Sequence, residues 1–116
     1  FMRKLSTDHE INHAFQSMIK DAGLGAYGDD LKKKCKKWYN AWMKESYIRK
    51  RDSNAWFPSE YVKIFVSDNV MQQEYFAESK LLYDHKPELI KDKKIKDLLK
   101  QSDELSKELR KHIEGL

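Results

Sequence analysis

The chain has 116 residues, 36% of them charged and 40% hydrophobic, with four glycines, two prolines and a single cysteine. That length fits one domain with its own core, the composition favours surface-charged helices over a sandwich or a disordered tail, and the one cysteine excludes an internal disulfide framework and any cysteine-based zinc site. The net charge of +4 is uneven, with nine basic against three acidic groups over 29–51 and three against seven over 52–90, an asymmetry that suits a bipolar partner surface or self-association.

The elements read as all-α, a compact bundle of about four to five helices ending in a long C-terminal one, in a single domain over 1–116. Thr7 and Glu10 have capping-box spacing, so the first helix is expected to begin at Thr7 and stop at Gly23. Its apolar stripe is Ile11, Ala14, Phe15, Met18, Ile19 and Ala22, which leaves His9 and His13 facing solvent. Asp29 or Asp30 caps a second helix that runs to about Arg51, with Leu31, Cys35, Trp38 and Trp42 on one face and Tyr39, Met43 and Tyr47 beside it. The opposite face aligns Lys33, Lys37, Asn40, Lys44 and Arg51 in one row, extended by Arg49 and Lys50.

Asp52-Ser53-Asn54 opens a loop that closes at Trp56-Phe57-Pro58. The β-branched run Tyr61 to Val66 has no second strand to pair with and reads as a short helix capped by Ser59. Asn69 and Gln72 mark the start of the next helix, which ends near Asp84, and Pro87 fits the first turn of the last one. There Ile95, Leu98, Leu105, Leu109 and Leu116 take a and d positions with Ser102 and His112 among them. The flanking positions lack complementary charges, which favours one long bundle helix over a self-pairing coil.

Two stretches match catalytic motifs letter for letter. His9-Glu10-Ile11-Asn12-His13 is H-E-x-x-H, in which two imidazoles one turn apart share a zinc ion and the intervening Glu activates its water. The third ligand is unassigned among Glu60, Glu74 and Glu78, so the pair reads as a solvated face, with metal binding only as an alternative. Gly23 to Gly28 spells G-x-G-x-x-G but follows a helix instead of a strand, and Asp29 and Asp30 would repel the phosphate.

No cofactor and no catalytic set are expected, and the chain is read as non-enzymatic. The first thirty residues lack the apolar run of a signal peptide and no stretch has the ~20 apolar residues of a membrane span, so the expected location is cytoplasmic. Phe1 ahead of Met2 reads as a cloning remnant, with Met2 as the natural start. The surplus of aromatics points to a small protein-interaction module, an adaptor, inhibitor or assembly factor of phage or mobile-element type, anchored by Trp56, Phe57 and Tyr47. The alternative is backbone binding of nucleic acid by Lys33, Lys37, Asn40, Lys44, Arg49, Lys50 and Arg51, and a zinc-dependent hydrolase through HEINH is the second alternative. A homo-oligomer would form through the C-terminal helix.

Overall fold

The computed structural model describes residues 2–26 and 28–115, the side chains of 2–6 and 26 excepted. Five α-helices follow in order: α1 (Met2–Asp21), α2 (Asp29–Lys50), α3 (Glu60–Lys63), α4 (Asp68–His85) and α5 (Lys93–Glu114). No strand occurs among the described residues, and none of their helices is long and apolar enough to cross a membrane. The expected all-α bundle is therefore the fold, within extents of 43 × 32 × 24 Å.

The aromatic face of α2 organises the core. Cys35, Trp38 and Trp42 recur at helical spacing and are all buried, with Leu31 half-buried beside them. Trp38 and Trp42 stack 5.9 Å apart at 9°, and Phe76 of α4 meets each edge-on at 5.4 Å. Indoles carry an N–H that must be satisfied when buried. Trp38 Nε1 donates to the Leu98 carbonyl at 2.7 Å and Trp42 Nε1 to the Gln72 carbonyl at 3.1 Å, so each ring also fixes a neighbouring helix.

Helix α5 buries Ile95, Leu98, Leu105 and Leu109 as its heptad pattern predicts, together with Leu99. Its polar intruder Ser102 returns its hydroxyl to the Leu99 carbonyl at 2.6 Å, and Ser106 does the same to Ser102 at 2.8 Å. The apolar face is covered by α1, α2 and α4 of the same chain, as one long bundle helix requires. Ile113 stays exposed, and the heptad position at Leu116 lies outside the described residues, as do Phe1 and Tyr27.

Several boundaries differ from expectation. Pro87 heads a separate 3₁₀ turn, Pro87–Leu89, and α5 begins only at Lys93, where Asp92 accepts from the Ile95 amide at 3.1 Å. An Asp at the N-cap satisfies an orphan donor and so sets the start. Helix α4 is capped by Ser67 rather than Asn69, while Gln72 donates to Asn69 Oδ1 at 3.3 Å. Ser59 does precede α3, but its hydroxyl donates to Glu78 instead of capping the helix.

The largest departure is in α1. The helix starts at Met2, which places Thr7 inside it, and its buried line is Asn12, Gln16, Ile19 and Ala22. Ile11 and Ala14 from the expected apolar stripe face solvent. The upper half of α1 docks on α4 through polar pairs: Asn12 Nδ2 donates to the Ala77 carbonyl at 3.1 Å and Gln16 Nε2 to Gln72 Oε1 at 2.7 Å. Below this, the chain turns through Gly25 at φ 127°, a conformation that suits glycine alone. A Cβ at Gly23 would lie 3.1 Å from the Lys36 amide nitrogen, so that glycine lets the turn press against the α2 backbone.

Two largely buried cations, Lys80 and Arg49, tie neighbouring elements. Lys80, almost fully buried on α4, reaches Asp84 at 2.6 Å and Asp103 of α5 at 2.8 Å. Burial opposes its charge, but these carboxylates outweigh that and hold the ammonium above its ordinary pKa. Arg49 of α2 grips Asp92 with two nitrogens, at 2.6 and 3.1 Å, and also reaches Glu45.

Candidate functional site

The aromatic loop is partly closed. Trp56 and Phe57 are half-buried, with their rings 6.2 and 5.1 Å from that of Tyr75, and the Tyr75 hydroxyl donates to the Trp56 carbonyl. Burial pushes the Tyr75 phenol far above its usual range, so it remains a donor at any physiological pH. Lys63 Nζ sits 5.3 Å above the Phe57 ring. Tyr47, on α2, is half-buried with its hydroxyl on the Met43 sulfur at 3.7 Å, and burial and the Asp68 carboxylate raise its pKa.

Directly after this plug, the chain presents apolar side chains to solvent. Tyr61, Ile64, Val66 and Val70 are 51, 69, 92 and 39% exposed, four large hydrophobes within ten residues. Phe65, between them, packs edge-on to Tyr61 at 5.0 Å. Scattered exposed hydrophobes are ordinary, so four within so short a stretch single this segment out. The backbone beneath is pinned: Lys50 Nζ donates to the Val66 carbonyl and to Asp68, each at 2.5 Å, and Arg51 reaches Asp68 at 3.1 Å. These charge-assisted bonds hold Asp68 below its ordinary pKa. The result is a braced hook over 61–70, immediately beyond the anchors that sequence reasoning selected.

The basic row of α2 is divided. Arg49 is spent on Asp92 and Glu45, and Lys50 and Arg51 on Asp68. Lys33, Lys37, Asn40 and Lys44 are exposed, as is Lys36, and among the described residues no ion pair reaches these four lysines. A groove of about 420 Å³ between α2 and α5 carries Lys34 and Lys37 on one rim but Glu104 and Glu108 on the other. A phosphate entering it would meet carboxylates as well as ammonium groups. Cys35 is buried nearby, and burial and Glu108 raise its thiol pKa, which suits packing rather than nucleophilic work.

His9 and His13 do not face open solvent. Both point at Glu74 of α4, His9 Nε2 lying 2.9 Å from Oε2 and His13 Nε2 3.1 Å from Oε1. Of the three carboxylates left open as third ligand, Glu60 pairs with Lys63 and Glu78 accepts from Ser59, so Glu74 alone joins the histidines. The sequence signal for this grouping is the helical spacing of polar residues 9, 12, 13 and 16, which together form the face that α1 turns to α4. The second literal motif leads nowhere comparable, since its glycines join two helices and Asp29 and Asp30 occupy the first turn of α2.

Comparison of the chain with protein-family models, with curated proteins and with solved structures gave no match to any of them.

Proposed function

We propose that this chain is a small helical protein-interaction module that docks through the hook over 61–70, inserting Ile64 and Val66 into an apolar cleft on a partner protein. The observation that carries this reading is the exposure of Tyr61, Ile64, Val66 and Val70 on a backbone braced by Lys50, Arg51 and Asp68. A braced loop binds with less ordering cost than a flexible one, so apolar contact translates more fully into affinity. Trp56 and Phe57 then act mainly from behind, packing on Tyr75 and setting where the hook emerges.

A second reading, phosphate-backbone binding of nucleic acid, draws on Lys33, Lys36, Lys37 and Lys44. It is weakened because Arg49, Lys50 and Arg51 neutralise acidic neighbours within the chain. One pair of variants separates the two. Replacing Ile64 and Val66 by Asp should leave the unfolding free energy within ~0.5 kcal/mol, as exposed sites do, while abolishing the complex recovered from source cells. Reversing Lys33, Lys37 and Lys44 to Glu should leave that complex intact. Loss of binding in the lysine variant alone transfers the function to the basic face.

A further inference from the structure

A second site lies where α1 meets α4, and its ligand atoms come from residues outside the hook's exposed apolar set. We propose that His9, His13 and Glu74 bind a divalent transition-metal ion of the zinc class, clamping α1 to α4.

The donor set selects the ion. Two imidazoles and one carboxylate suit zinc and its first-row neighbours, whereas magnesium and calcium take oxygen ligands. The spacing is close to what such an ion needs. Ligand atoms around a four-coordinate zinc at ~2.0–2.1 Å stand roughly 3.3–3.4 Å apart. Here the three donor atoms lie within 4.8 Å of one another, with the imidazole–carboxylate separations at 2.9 and 3.1 Å. The two contacts use different oxygens of Glu74, so side-chain rotation within this spacing brings one oxygen and both Nε2 atoms to a shared ion.

The scaffold is prepared for it. His9 and His13 are one turn apart on α1, with rings 4.6 Å apart at 84°, so their Nε2 atoms converge without stacking. The bonds from Asn12 to Ala77 and from Gln16 to Gln72 fix the register of α1 on α4. His9, His13 and Glu74 side chains keep 23, 24 and 16% of their surface, which gives an ion a path in and leaves water to complete its coordination. Binding replaces two imidazole–carboxylate contacts by three metal–ligand bonds, each neutral imidazole then carrying its proton on Nδ1.

The test must separate this site from the weak affinity that any exposed i,i+4 histidine pair has for metal. Chelator-treated protein is titrated with Co²⁺, read by visible absorption, and its melting temperature is followed against Zn²⁺ and Mg²⁺. The expected result is one Co²⁺ per chain, a melting temperature that climbs with Zn²⁺ and not with Mg²⁺, and affinity at least about tenfold weaker in Glu74→Gln. Gln retains hydrogen-bonding capacity toward the histidines, so this variant stays folded, as circular dichroism verifies. His13→Gln should lose binding equally, and Glu78→Gln, on the same helix, should not. Wild-type affinity in Glu74→Gln would reduce the site to a histidine pair and overturn the proposal, as would the absence of stoichiometric Co²⁺ binding.

Discussion

Trp42→Ala is expected to destabilise the protein by about 3–5 kcal/mol, the range for removing a large buried aromatic side chain. Trp42 is fully buried, stacked on Trp38 and edge-on to Tyr75 and Phe76, and its N–H satisfies the Gln72 carbonyl. Truncation leaves both a cavity between α2 and α4 and an acceptor without this donor. For a chain of this size, such a loss is a large fraction of a typical total of ~5–15 kcal/mol. Denaturant unfolding should show a sharply lower midpoint, and a midpoint close to the parent's would mean that the aromatic cluster does not hold α2 to α4.

Arg49→Met should cost about 3 kcal/mol near neutral pH, because it leaves the largely buried Asp92 carboxylate without its counter-charge, whereas Glu45 keeps Lys94 Nζ at 3.2 Å. The guanidinium is only 12% exposed, and it serves Asp92 at 18% and Glu45 at 7%. Burial disfavours the Asp92 carboxylate, but hydrogen bonds from Arg49 and from the Ile95 amide outweigh this and keep its pKa below the ordinary value. A depressed carboxylate pKa stabilises the fold above the unfolded value of ~3.9. That contribution disappears as pH falls through the lower folded-state pKa. The gap between parent and variant should therefore be full near neutrality and close on acidification below about pH 4. Urea titrations at several pH values check this, and a gap independent of pH would mean that Arg49 contributes by packing alone.

The helices that sequence reasoning places best are those whose burial is apolar and periodic. Trp38 and Trp42 in α2, and Ile95, Leu98, Leu105 and Leu109 in α5, announce their faces through spacing alone. Helix α1 does not, because its docking face uses Asn12, Gln16, His9 and His13, whose partners lie 56 to 65 residues away on α4. Polar residues signal burial only when a complementary group is known to face them. The histidine pair was thus visible as a motif, while Glu74 as its third member required the fold. Pro87 shows a different limit: a first-turn proline fits a 3₁₀ turn as well as an α-helix, and Asp92 five residues later provides the stronger cap.

The hook was hidden for a similar reason. Val62 and Val66 are alike in sequence, yet one is fully buried and the other 92% exposed. A β-branched run ordinarily signals a core segment. What turns Ile64 and Val66 outward is the short α3 turn combined with the pull of Lys50 and Arg51 on the segment that follows, neither of which spacing reveals.

Binding of a protein partner through 61–70 is tested by placing a photo-crosslinking amino acid at Val66, and separately at Lys33, and irradiating source cells. One discrete protein adduct is expected from position 66, lost when Ile64 is changed to Asp, and no such adduct from position 33. An adduct to nucleic acid from position 33, with nothing captured at 66, would contradict binding through 61–70.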